Sequence, residues 1–320
     1  MRADNARRVR YVERVIPYLR LVRLPNVFTS LADIVAGFLI VRLVFSGGSW
    51  WPLPPLLLAS AGLYLSGTTL NDVADREGDA RVRPDRPIPS GAVTLRGAVC
   101  CGMALWLGGV LCALLAGLPS QGAFLWAPAA WALALGLAIL AYDFGTKGTL
   151  LGPPTLGVCR FLNVQLGMSA SAGFLLNLGD AALWRTLYAP ALVLGFYATG
   201  LTLFSAQEEE GRRTRALLLG WIFSGGALGL AAWTAPQIWG CPAFLLLAAA
   251  LIFRTVQLLR AGTPEAARDL VKTGVLGICL LDAGLILGQG GRAVWPFAVA
   301  VFLLLVPALL AARFLRQREA

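Results

Sequence analysis

Asp72, Asp75 and Asp79 are spaced i, i+3 and i+7, and Asn71 precedes the first of them. At 100° per residue the three carboxylates fall within about 60° of one another on a helix. Carboxylates arranged in this way repel unless positive charge lies between them. One source of that charge is Mg²⁺, which takes oxygen ligands and commonly uses one or two protein carboxylates plus water and substrate phosphate. The other is the set of nearby arginines, Arg76, Arg81 and Arg83, which would leave the segment a solvated helix end. Residues 71–91, NDVADREGDARVRPDRPIPSG, hold five acids and four arginines. The chain has no histidine, so proton transfer falls to carboxylates, tyrosines or lysines. Its six cysteines lack the paired spacing of a zinc site and read as small buried hydrophobes.

The elements that must carry these acids are apolar. Of the 320 residues 58% are hydrophobic and 14% charged, against 45–50% and about 25% in soluble domains. Apolar stretches near the ~20 residues that cross a bilayer recur along the chain, which predicts an all-α, polytopic transmembrane bundle forming one domain over 1–320. Ten spans are expected, at 27–46, 54–71, 93–117, 121–142, 153–174, 187–206, 215–234, 240–259, 269–289 and 294–314. Residues 1–26 are basic and read as an amphipathic lead-in along the cytosolic interface, not as a cleaved signal peptide.

With the N-terminus inside, this division puts 23 of the 27 basic residues on the cytosolic side. Arg185 and Arg292 lie outside, while Arg42 and Arg160 fall within spans. That asymmetry obeys the positive-inside rule and predicts both termini in the cytosol. The net charge of +10 is thereby accounted for by membrane orientation. A nucleic-acid partner is not expected, because aromatics are not interleaved with the basic residues. The outer loops are short, nearly uncharged and Trp-rich, whereas the cytosolic loops carry nearly all the acids, so function is expected at the cytosolic face.

Polar groups inside spans are costly and point to function or to pairing within the bundle. Asp33, Arg160, Asn163, Gln165 and Asp282 are such residues. Arg160 either pairs with one of the acids or faces substrate.

Asn71–Asp72–x–x–Asp75–x–x–x–Asp79, followed by RPDRPIPSG, resembles the first motif of the UbiA superfamily of intramembrane prenyltransferases. The resemblance extends to LRLVRLPNVFTS before the first span, YDFGTKG after the fourth, GVCRFLNVQLGMSA in the fifth and TGLTLFSAQEEEGRR closing the sixth. With VKTGVLGICLLDAG it is most similar to the EboC-like subgroup, and it covers essentially the whole chain. It implies a helical bundle, usually of nine spans, around a central cavity capped by cytosolic loops. It also implies two acidic motifs that hold Mg²⁺ and bind the diphosphate of a polyprenyl donor. Asp72, Asp75 and Asp79 match the first motif. In place of the second, a D-x-x-x-D pattern, stand Glu208, Glu209 and Glu210, which cannot all face one ion because neighbours diverge by 100°.

On this resemblance Lys147, Arg83 and Arg86 would neutralise the diphosphate. Lys147 has glycines near it that let backbone approach a ligand, although a membrane anchor is the rival role. Tyr142 and Asp143 are candidates for proton handling on the acceptor side, and Asn71, Arg160 and Asn163 for substrate contact. Asn26 matches a cavity position or caps the first span. The expected activity is Mg²⁺-dependent transfer of a prenyl group from a polyprenyl diphosphate to a small acceptor, in a bacterial inner membrane. A terpene cyclase of the same fold and a non-catalytic lipid-binding protein are the alternatives.

Overall fold

The computed structural model describes residues 16–22, 27–45, 49–118, 126–180, 183–205 and 214–316, and these are helices and turns throughout. The long helices are α1 (Val27–Val44), α2 (Leu53–Ala74), α4 (Leu95–Ala116), α5 (Ala127–Ala141), α6 (Gly152–Met168), α9 (Ala189–Ser205), α10 (Thr214–Thr234), α11 (Cys241–Ala261) and α12 (Pro264–Gly290). Shorter ones are α3 (Arg76–Val82), α7 (Ala172–Leu176), α8 (Trp184–Leu187), α13 (Trp295–Phe302) and α14 (Leu305–Arg316). Local chemistry sets several ends. Thr94 accepts from the Gly97 N–H to cap α4, and Thr263 does the same for Ala266 in α12.

Among the described residues seven helical stretches are long and apolar enough to cross a membrane. The last, Pro264–Leu310, has 47 residues, more than twice the ~20 that one crossing needs. Gly291, at φ 66°, ends α12 within this stretch, and the chain breaks again between α13 and α14. Pro307 explains the second break, since its ring clashes with the carbonyl four residues back, at Leu303. The expected spans at 153–174 and 294–314 are therefore corrected. The first stops at Met168, with α7 a separate piece, and the second is two helices. The ten-span reading also counts α6 and α9, which have 17 residues each.

In the bundle α2 packs on α4, α6 on α1, α5 and α9, α9 on α10, and α12 on α1, α9 and α11. Apolar side chains cannot drive this against lipid, because the outward faces are apolar too, with Leu58, Leu111 and Leu246 exposed. Close approach through small residues does so instead. A Cβ on Gly167 would lie 2.6 Å from the Ile34 carbonyl, and one on Gly195 would lie 3.1 Å from that of Gly157. These contacts draw α6 against α1 on one side and α9 on the other. Gly167→Ala should lower thermal stability in detergent by about 1–3 kcal/mol, the cost of overpacking against backbone. Gly226→Ala, in open space inside α10, should hold or raise the unfolding midpoint, since Ala favours a helix over Gly.

Candidate active site

Asp75 is the turn residue that joins α2 to α3, and backbone hydrogen bonds run to it and from it. The Asp75 N–H donates to Asn71 O (2.9 Å), Asp79 to Asp75 O (2.9 Å) and Arg83 to Asp79 O (2.7 Å). Asp72 and Asp79 thus stay on one face and are both buried. Pro84 ends the run, and a turn closed by Ser90 N–H to Arg86 O (2.9 Å) and Val93 N–H to Pro87 O (2.8 Å) folds Arg86 back. Its Nη1 donates to Asp72 Oδ1 (3.2 Å) and Asp79 Oδ2 (2.5 Å). One cationic nitrogen bridges two carboxylates.

Asp75 turns to another partner. After α5 the helix widens into a π-helical turn, Tyr142–Thr146, and Lys147 leaves it in an extended conformation at ψ 136°. Gly148 follows at φ 75°, a conformation that a residue with a side chain rarely adopts. Lys147 Nζ then forms an ion pair with Asp75 Oδ2, and Asn71 Nδ2 donates to Asp143 Oδ1 at 3.0 Å. A single turn therefore meets Asn71 on α2 and Asp75 just past its end with Asp143 and Lys147. Widening of this kind is frequent at functional sites because it re-aims side chains.

The polar face continues inward along α2. Ser60, Tyr64, Asn71 and Asp75 lie within about 60° of one another around that helix. Ser60 Oγ donates to Asn163 Oδ1 (2.8 Å), and the guanidinium of Arg160 lies 6.0 Å from the Tyr64 ring centre. Asn163 Nδ2 donates to Ser30 O (2.9 Å) and Asp33 Oδ2 (2.9 Å). Arg160 donates to the same Asp33 oxygen (2.8 Å) and to Thr29 Oγ1 (2.9 Å). A row of polar groups thus runs from the charged joint into the bundle.

The expected residues separate into groups. Asp72, Asp79 and Arg86 meet, as do Asp75 and Lys147, and Asn71 and Asp143. Tyr142 opens the turn that holds Asp143 and Lys147. Among the described residues no three metal-ligating side chains converge on one point, so the carboxylate stripe offers a pair plus Asp75. Arg83 is exposed, and its backbone N–H closes α3. Arg160 and Asn163 lie deeper and bond to Asp33, which answers the question of Arg160's partner. Asn26 and Glu208–Glu210 lie outside the described residues. Ser30, Ser60 and Tyr64 were not singled out in the sequence. The i, i+4 spacing of Ser60 and Tyr64 on the stripe of Asn71 was the available signal.

Comparison with known proteins gives a consistent family. The UbiA prenyltransferase family profile matches residues 34–276. A digeranylgeranylglyceryl phosphate synthase of Metallosphaera sedula is 37% identical over 106 residues, 32% of this chain and 35% of that protein. The chain thus matches about a third of the length of that relative. A 4-hydroxybenzoate octaprenyltransferase of Paracidovorax citrulli is 29% identical over 223 residues, 65% of this chain and 72% of that protein. The solved structure of a UbiA homologue from Aeropyrum pernix superposes with a TM-score of 0.61 at 17% identity, over 82% of this chain and 97% of the other, a likeness of fold.

Proposed function

This chain, an integral membrane protein, belongs to the UbiA prenyltransferase family, and from that premise we propose that it transfers a prenyl group from a polyprenyl diphosphate to a small acceptor. The observation that carries the reading is the placement of Arg86 on Asp72 and Asp79 beside Lys147 on Asp75. Acids and bases alternate where a hydrophobic bundle ends, which suits a substrate with a charged head and a hydrocarbon tail.

The residues present fit Mg²⁺. Asp72 and Asp79 already hold a cationic nitrogen between them, and two carboxylates completed by phosphate oxygens are a common Mg²⁺ donor set. Mg²⁺ bound there would stabilise negative charge on the diphosphate as it departs. Arg86 and Lys147, displaced from their carboxylates, turn to the diphosphate oxygens and neutralise the leaving group. The allylic C–O bond breaks with its electron pair going to the diphosphate, and the acceptor forms the new bond and loses a proton. In this reading Asp143, oriented by Asn71, receives that proton, and the neutral Tyr142 hydroxyl beside it serves only as a relay, accepting one proton as it gives up its own. Arg160 and Asn163 line the inner end of the polar row, where they order the wall of the acceptor site. Asn26 would contact the donor, and at least one of Glu208, Glu209 and Glu210 would hold a second Mg²⁺.

In this reading the site and both termini face the cytosol, because the ten-span division puts 23 basic residues on that side, and the membrane is a bacterial inner membrane. One relative's name gives a glyceryl phosphate product and the other's a hydroxybenzoate acceptor, so the acceptor is tested rather than assumed. The purified protein in vesicles, given Mg²⁺ and prenyl diphosphates of several lengths, should release diphosphate only when a prenyl acceptor is added. Mass spectrometry should find the prenylated acceptor. Diphosphate release without an acceptor, with a cyclic hydrocarbon formed, would make it a cyclase. An intact donor with every acceptor would reduce the protein to a lipid binder.

A further inference from the structure

We infer that Asp33 and Asp282 hold one exchangeable proton between them and form a proton-binding site where α1, α6 and α12 meet, separate from the Asp72–Lys147 site. Both side chains are fully buried. Asp33 Oδ2 accepts from Arg160 and Asn163, but its Oδ1 accepts from no described residue. Neither oxygen of Asp282 has a donor among the described residues. The helices nevertheless bring the two carboxyl groups to each other, because Ala32 and Ala36, beside Asp33 on α1, pack in one cluster with Cys279 and Ala283, beside Asp282 on α12. Two ionised carboxylates have only acceptors to offer, so such an approach needs a proton between them.

The balance of charge agrees. Arg160 on α6 is the one cation among the described groups that face the pair. Cys279, one turn before Asp282 on α12, and Tyr64 of α2, over the Arg160 guanidinium, are the other ionisable neighbours, and both are neutral in their usual state. Two ionised aspartates with one arginine would leave a charge of −1 deep in the bundle, at a cost of several kcal/mol. One proton brings the cluster to zero. Hydrogen bonding also places that proton. Arg160 and Asn163 both donate to Asp33, which makes Asp33 the ionised member. Asp282 therefore carries the proton and donates to Asp33, tying α12 to α1 through a bond that only the protonated form makes.

Infrared spectroscopy of the full chain in lipid vesicles tests this. Wild type at neutral pH should show the C=O stretch of a protonated, buried carboxyl that shifts in D₂O. Asp282→Asn should abolish it. Asp33→Asn should abolish it as well, because the one remaining carboxyl would then ionise against Arg160. Exposed Asp85→Asn should leave it in place. If Asp282→Asn does not accumulate, Asp282→Glu should move the band. A band missing from wild type, or unmoved in the Asp282 variants, overturns the inference. So does a thermal midpoint raised by Na⁺ or K⁺ but not by choline, and insensitive to these ions in Asp282→Asn, since a bound cation would then fill the site.

Discussion

Asp72→Asn should weaken Mg²⁺-dependent binding of a prenyl diphosphate by about a hundredfold or more while the protein still inserts and folds. Changes to groups that merely orient a metal ligand cost about 10–100-fold, and loss of a ligand should meet or exceed the upper figure. The substitution keeps the volume of a buried side chain and leaves it one acceptor oxygen, so packing at the joint of α2 and α3 is spared. What disappears is one of two negative charges that Arg86 bridges. Calorimetric titration of donor, with and without Mg²⁺, reads the effect directly. Asp85→Asn provides the control, because Asp85 belongs to the same charged segment but is exposed. It should stay within about twofold of wild type, as expected of a surface change. Equal affinities for Asp72→Asn and wild type in Mg²⁺ would remove this carboxylate from the site. Equal losses in Asp72→Asn and Asp85→Asn would mean that only the general field of the segment matters.

The sequence carried the helices because hydropathy and charge are local properties. The apolar runs and their basic borders placed α1, α2, α4 and α9 to α11 within three residues, and of α12 missed only the first turn, residues 264–268, which the charges of Glu265 and Arg268 hide. It also carried the acid stripe, because i, i+3, i+7 spacing is enough to align side chains on a helix. What it could not carry is pairing over long separations. Arg160 had Asp33 and Asp282 as equally plausible partners, 127 residues before it in the bond actually made, and only the glycine contacts of α6 with α1 select between them. Nor does periodicity reveal that the helix after α5 widens at Tyr142–Thr146, or that Asp75 faces Lys147 while its neighbours face Arg86. Breaks such as that at Leu303–Leu304 follow from one proline, Pro307, in a segment whose hydropathy hides it.

Arg86→Gln should move two affinities in opposite directions. In the structure Arg86 Nη1 lies where a cation shared by Asp72 and Asp79 would lie, 3.2 and 2.5 Å from their oxygens. Mg²⁺ arriving without donor must first displace that guanidinium from a partly buried pair. A hydrogen bond to a charged group contributes about 1.5–3 kcal/mol, so removing the competitor should tighten binding of Mg²⁺ alone by roughly tenfold, at 1.4 kcal/mol per decade. With donor present the released arginine becomes useful, since a guanidinium pairs with phosphate oxygens through parallel, charge-assisted bonds. Arg86→Gln should therefore weaken donor binding in Mg²⁺ by about tenfold or more, the scale of a lost charge-assisted contact. A purely structural role for Arg86 would lower both affinities together, because a collapsed turn at residues 86–91 would scatter the carboxylates. A neutralising role alone would leave Mg²⁺ binding unchanged. Only exchange of Arg86 between carboxylates and diphosphate gives opposite signs, and calorimetry of Mg²⁺ alone followed by donor in Mg²⁺ separates all three.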